Sequence, residues 1–183
     1  MDAKPFIEGE RINLRPLLIE DIGSDYLSWL NDSEVCRFNS HHVYPYTEAL
    51  ARQYITDVQD QRRHLVLAIV TRETGKHIGN VSLQSIDYVS HNAEYAILLG
   101  NRDYWGKGIA KEASLLILQH GFYTLNLHRI YCGTSSENIP MQKLARALGM
   151  EEEGRRREAM YKSGRYVDII EYGLLRGGFE ARA

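Results

Sequence analysis

Trp105-Gly106-Lys107-Gly108-Ile109-Ala110-Lys111 decides how this chain is read. The residues before it, Asn92–Leu99, have the pattern of a buried strand. Those after it, to about Thr124, place Ile109, Ala113, Leu116 and Ile117 on one helical face. Glycines at such a junction let the backbone bend tightly and approach a ligand with no Cβ in the way. The first N–H groups of the helix lack internal partners and carry the positive end of its dipole, so the junction can hold a phosphate. A Gly-x-Gly by itself equally describes a tight strand-to-helix turn that binds nothing. Two phosphate loops are excluded. A Walker A loop needs Gly where this chain has Asn101 and Ser or Thr where it has Gly108. A dinucleotide-binding Gly-x-Gly-x-x-Gly needs a third small residue at Lys111 and a parallel βαβ unit, whereas the preceding strands read as antiparallel.

Outward from the junction, Leu65–Thr71, His77–Asp87 and Asn92–Leu99 read as successive strands, with Glu73-Thr74-Gly75-Lys76 as a hairpin turn. Upstream, Arg11–Leu17 reads as a first strand, and Glu20–Leu30 and Thr47–Asp60 as amphipathic helices. The second of these has Thr47 as N-cap and a stripe of Leu50, Tyr54, Ile55 and Val58. Downstream come a short strand, Arg129–Thr134, and a helix capped by Asn138 that stops at Gly149. Two strands, Met150–Tyr161 and Tyr166–Leu175, close the chain around Lys162-Ser163-Gly164-Arg165. Hairpins in the middle and a β-α-β step after them predict an α/β fold with a mixed sheet and helices packed on it.

The 183 residues carry 22 Lys and Arg against 24 Asp and Glu, with 44% apolar and 25% charged residues. That is the make-up of one soluble globular domain spanning 1–183, expected in the cytoplasm. A charge of −2 lacks the basic excess expected of a nucleic-acid partner. The longest apolar run, Leu65–Val70, is six residues, against the ~18 or more that span a membrane. The start, Met1-Asp2-Ala3-Lys4-Pro5, has no apolar stretch to serve as a signal peptide. Two isolated cysteines, Cys36 and Cys132, exclude a disulfide scaffold, and His41-His42 lacks metal-ligand spacing, so no metal is expected. His128 and Cys132 lie about 13 Å apart along a strand and cannot form a local nucleophile pair.

With these pieces in order, the chain resembles the GNAT superfamily of acetyl-CoA-dependent N-acetyltransferases, in particular the branch that includes ribosomal-protein N-terminal acetyltransferases. The superfamily signature Gln/Arg-x-x-Gly-x-Gly/Ala is matched at Gly108 and Ala110, with Trp105 in place of Gln or Arg. Leu127-His128-Arg129-Ile130, Asn138 followed by Leu148-Gly149, and Ser163-Gly164-Arg165-Tyr166-Val167-Asp168 match as well. So do Arg15-Pro16-Leu17, Trp29-Leu30-Asn31-Asp32 and Glu34-Val35. The resemblance implies a mostly antiparallel twisted sheet flanked by helices. It also implies acetyl-CoA as cosubstrate, an amine acceptor, and a monomer or homodimer.

It assigns roles too. Backbone N–H groups of the turn, at Gly106, Lys107, Gly108, Ile109, Ala110 and Lys111, would wrap the CoA pyrophosphate. The pantetheine arm would pair with backbone near Leu98 and Leu99 like an added strand, and one of these groups would polarise the thioester carbonyl. Asn138 would contact the cosubstrate, though plain helix capping explains it equally. Glu94, on a strand face shared with Ala96 and Leu98, is the candidate base for an ammonium acceptor; a solvated strand-end Glu is the plain alternative. The general acids of relatives are missing, because their Tyr and Ser positions are Ala145 and Met141 here. A non-catalytic acyl-CoA-binding protein therefore stands as an alternative. The acceptor pocket is expected between 38–46, with His41, His42 and Tyr44, and the last hairpin. The segment Phe38–Tyr46 contains no Asp or Glu, which puts polyamines third. Its composition suits a peptide terminus and an amino-sugar nucleotide equally, and the resemblance puts a protein N-terminus first and an amino sugar second.

Overall fold

The computed structural model describes residues 4–181 except Ser24 and Gln61; 1–3, where the signal-peptide reading begins, lie outside the described residues. Along the chain run β1 (Ile7–Glu8), β2 (Ile12–Pro16), α1 (Tyr26–Leu30), α2 (Glu48–Asp60), β3 (Leu65–Thr71), β4 (His77–Asp87) and β5 (Asn92–Leu99). They are followed by α3 (Ile109–Gln119), β6 (Arg129–Ser135), α4 (Ile139–Ala147), β7 (Glu151–Lys162), β8 (Arg165–Leu175) and α5 (Arg176–Glu180). The strands make one sheet in the order β1-β2-β3-β4-β5-β6-β8-β7. Every neighbouring pair is antiparallel except β5 and β6, which are parallel. This is the mixed, mostly antiparallel sheet that the hairpin pattern predicts.

Both faces of the central sheet are covered, which explains the unbroken apolar run in β3. Leu67 and Ile69 join the apolar layer shared with α3 and α5, while Ala68 and Val70 face Tyr26, Trp29, Ala51 and Ile55 of α1 and α2. On α3, Ile109, Ala113 and Ile117 are buried as the helical spacing requires. At the far edge, β7 is exposed along most of its length. Several of its charges are paired, Glu152 with Arg146, Arg155 with Asp168 and Arg156 with Glu171. The turn between β7 and β8 has positive φ at Ser163 (53°) and Gly164 (81°), the primed geometry whose twist suits a tight hairpin.

Four local expectations change. Glu20–Leu30 is a 3-10 turn, Ile19–Gly23, followed by the short α1. Asp21 accepts from both terminal nitrogens of Arg15, at 2.6 and 2.7 Å, and from the Leu18 N–H at 2.8 Å, which fixes a tight turn there. On α2, Ala51 and Ile55 face the core while Leu50 is 47% exposed, so the buried stripe is set by Ala51 rather than Leu50. The end of the long helix widens into a π turn, His120–Thr124. Gly121 is squeezed there, since a Cβ would come within 2.8 Å of Leu83 and 2.9 Å of Ile130. The two-residue β1 and the five-residue α5 are additional elements, too short for periodicity to show.

Candidate active site

The site begins where the sheet parts. Strand β5 pairs with β4 from Gln84↔Glu94 to Gly79↔Leu99, but with β6 only at Asn92↔Arg129, Ala93↔Ile130 and Glu94↔Tyr131. Beyond Glu94 the two parallel strands separate, and the β6-facing edge of β5 has no strand partner among the described residues. A cavity of about 530 Å³ occupies this gap. Ile97, Leu98 and Leu99 line it from β5; the glycine turn and Asn138, Pro140, Met141 and Leu144 at the start of α4 close it.

At the turn, Gly106 (φ 70°) and Gly108 (φ 78°) are both left-handed, a conformation that costs a residue with Cβ about 1–2 kcal/mol. The first helical bond runs from the Glu112 N–H to the Gly108 carbonyl at 3.2 Å, so the N–H groups of Ile109, Ala110 and Lys111 have no helical acceptor. Gly106, Gly108, Ile109 and Ala110 line the cavity. The Lys107 side chain lies over the Tyr104 ring at 5.8 Å, and Lys111 is exposed. Trp105, in the signature position, donates its indole N–H to the Leu99 carbonyl at 2.6 Å and so fixes the turn to the end of β5. Asn138 caps α4, its side-chain oxygen accepting the Met141 N–H at 3.2 Å, and it also lines the cavity. Its amide NH₂ remains to donate, so capping does not exclude a ligand contact. A turn with two glycines, unpaired amides and an open strand edge fit the diphosphate and amide arm of CoA.

The opposite wall comes from the segment after α1. The Asp32 carboxylate accepts the Glu34 and Val35 N–H groups at 2.8 and 3.3 Å, and it takes one Arg102 nitrogen at 2.5 and 2.6 Å. Burial alone would raise the Asp32 carboxyl, but these donors hold it below its ordinary value. The turn so formed brings Glu34, Val35, Phe38 and Asn39 to the cavity. His41, His42 and Tyr44 are exposed and are not among the lining residues. Lys162 donates to the His41 carbonyl at 2.7 Å, which brings the last hairpin against this segment as expected.

Glu94 sits at the paired end of β5, beside Tyr131, outside the cavity lining. Burial, Glu94 and Glu171 together raise the Tyr131 hydroxyl. Burial, with the same two carboxylates, pushes the Cys132 thiol up to about 12, which leaves it a protonated core residue. Ala145 is fully buried and Met141 lines the cavity, so neither relative's acid position offers a proton. Tyr104, which the spacing gave no reason to choose, is the tyrosine that lines the cavity among the described residues. Glu34 was legible only as part of a matching motif, because its approach depends on the Asp32 turn. Among the described residues no group of three or more His, Cys, Asp or Glu side chains could hold a metal. No helix among them is long and apolar enough to cross a membrane.

Residues 11–151 match the family model of the acetyltransferase (GNAT) domain. The uncharacterized N-acetyltransferase p20 of Bacillus licheniformis is 33% identical over 171 residues, 91% of this chain and 94% of that protein. Spermidine N(1)-acetyltransferase of Escherichia coli (strain K12) is 31% identical over 160 residues, 87% and 83% of the two chains. Among solved structures, spermidine N-acetyltransferase from Vibrio cholerae in complex with CoA and spermine superposes with a TM-score of 0.85. It is 24% identical and covers 93% of this chain and 98% of that one, a likeness of fold. A sheet that opens beside a glycine turn and a family match over most of the length lead to one conclusion: the chain belongs to the GNAT family and is an acetyl-CoA-dependent N-acetyltransferase acting on amines.

Proposed function

We propose that the acceptor is a small-molecule primary amine carrying further positive charge, a polyamine in the first instance, acetylated directly from acetyl-CoA. The lining of the cavity carries this reading. Glu34 stands on the acceptor wall, and no Lys or Arg side chain lines the cavity among the described residues. A polyammonium chain gains from that carboxylate, in competition with the exposed Arg37 that pairs with it at 3.5 Å. A nucleotide-linked amino sugar would bring a diphosphate that no lining cation meets. The order expected from 38–46 is thereby reversed, because the turn at Asp32 supplies from outside that segment the acid it lacks. The relationship to spermidine N(1)-acetyltransferase supports the same order.

Bound acetyl-CoA supplies an acetyl thioester; the rest is the work of this chain. The N–H groups from Gly106 to Lys111 hold the pyrophosphate, Asn138 donates to the arm, and backbone at Leu98 and Leu99 borders it. The Leu99 carbonyl accepts the Trp105 indole N–H, which leaves one of its two acceptor positions for the arm. Glu34 binds the acceptor's cationic chain, while His41, His42 and Tyr44 form the rim for its distal end. Glu94 lies four residues before Leu98, about 13 Å along the strand, so it takes the ammonium proton by way of water. Tyr104 returns a proton to the departing sulfur. That assistance is modest for a leaving group whose thiol pKa is ~8.5.

Thiol release measured across spermidine, spermine, peptide N-termini and amino-sugar nucleotides tests the reading. A polyamine should have the highest kcat/KM, and Glu34→Gln should raise its KM about tenfold, the loss of one charge-assisted contact, with acetyl-CoA KM little changed. A peptide or an amino-sugar nucleotide as best substrate would overturn it.

A further inference from the structure

The glycine turn is held from outside the cavity by a strut nearly one hundred positions away in sequence. Glu112, in the first turn of α3, accepts the Arg11 N–H at 2.8 Å, the Arg11 Nε at 2.8 Å and the Ile12 N–H at 3.3 Å. Gly9 lets the β1–β2 turn seat this closely, since a Cβ there would come within 2.8 Å of the same carboxylate. With its backbone and Nε fixed on one group, the planar guanidinium has little freedom left. Its Nη1 donates to the Lys107 carbonyl at 2.8 Å.

Lys107 lies between the two left-handed glycines, where the chain is least able to fix the orientation of a peptide plane by itself. In a trans peptide the C=O and the following N–H point in opposite directions. The carbonyl of Lys107 is turned outward to Arg11, so the Gly108 N–H of the same plane is turned the other way, toward the cavity that Gly108 lines. A flip of this plane would face a carbonyl oxygen toward the anion instead.

We propose that Arg11 is a positioning residue that fixes the Lys107–Gly108 peptide with its N–H toward the pyrophosphate of the cosubstrate. Arg11 and Glu112 neutralise one another, so the contribution is orientation rather than added charge. The inference rests on the turn being the pyrophosphate cradle.

Three variants and two donors test it. Arg11→Gln should raise the CoA Kd about tenfold by titration calorimetry, as the loss of a charged hydrogen bond predicts. Arg11→Lys, which keeps the charge but not the fork, should recover less than half of that loss on a logarithmic scale. Turnover of acetyl-pantetheine, which has no pyrophosphate, should change less than twofold in both, and the unfolding midpoint without ligand reports the fold. An unchanged CoA Kd in Arg11→Gln, equal losses with both donors, or full recovery in Arg11→Lys would each overturn the proposal. Gly108→Val measured alongside separates the two levels: intact CoA affinity there sinks the cradle itself, whereas damage there with intact Arg11→Gln sinks only the role of Arg11.

Discussion

Gly108 is required by its backbone conformation. Its φ of 78° is costly for any side chain, whereas a Cβ there would meet the Arg11 guanidinium at an ordinary contact distance of 3.4 Å. Valine is the harshest test, being β-branched and stiff. Gly108→Val should raise the CoA Kd at least tenfold and lower the unfolding midpoint by a few degrees, the size expected for about 1–2 kcal/mol in a domain of this length. Isothermal titration and thermal unfolding of the same sample check both. Asn138 makes a different case, in which one side chain caps a helix and, on the proposed reading, also contacts the cosubstrate. Its capping bond to Met141 accounts for about 1 kcal/mol of helix stability, so Asn138→Asp, which keeps the cap and removes the NH₂, should leave the midpoint nearly unchanged while weakening CoA binding.

Among the elements, the short 3-10 turn at Ile19–Gly23 shows what patterning can and cannot convey. Apolar spacing across Glu20–Leu30 fits a helix, and the polar ties that gather on Asp21 divert it: the nearby Arg15 and Leu18 N–H, and from across the sheet the buried ring of His77 at 3.6 Å. Burial alone would raise the Asp21 carboxyl; Arg15, the Leu18 N–H and His77 more than offset it and hold it below its ordinary value. Burial depresses His77, with Asp21 and the Asn80 hydrogen bond opposing only in part. Both groups bind fewer protons folded than unfolded, so their stabilisation is present above the unfolded values, near 6.5 and 3.8, and is lost as pH falls through the folded ones. The unfolding midpoint should therefore drop between pH 7 and pH 4. His77→Gln should flatten the upper part of that drop; an identical pH profile in the variant would remove His77 from the account. The long regular elements, β3 to β5, α3, α4 and β8, were readable because their periodicity is local. The bend at Gly106 and Gly108 was readable as a tight strand-to-helix turn because glycine spacing is local too. The acceptor wall was not: Glu34 reaches the cavity through Asp32 and Arg102, and a tie spanning seventy positions leaves no period in a sequence.

For the whole molecule, that same tie joins the two sides of the cleft. Arg102 stands just after β5, with its guanidinium 5.9 Å from the Trp105 ring, and Asp32 organises the wall that holds Glu34. As an exposed ion pair it contributes at most about 1 kcal/mol to stability, so its effect is expected in placement. Asp32→Ala should raise acceptor KM five- to tenfold with acetyl-CoA KM within twofold, and steady-state kinetics with both substrates varied reads the difference. Equal rises in both constants would show the wall and the turn to be one unit. The parted strands carry a practical corollary. From Ala96 onward the free edge of β5 offers main-chain donors and acceptors at strand spacing, and a main-chain edge is indifferent to side-chain drift. An inhibitor built as a short run of amides could therefore lodge in the gap without any phosphate and would be shared widely among enzymes with the same opening. Selectivity would have to be engineered from the other bank, where Glu34, Phe38 and Asn39 differ in kind from a bare strand edge.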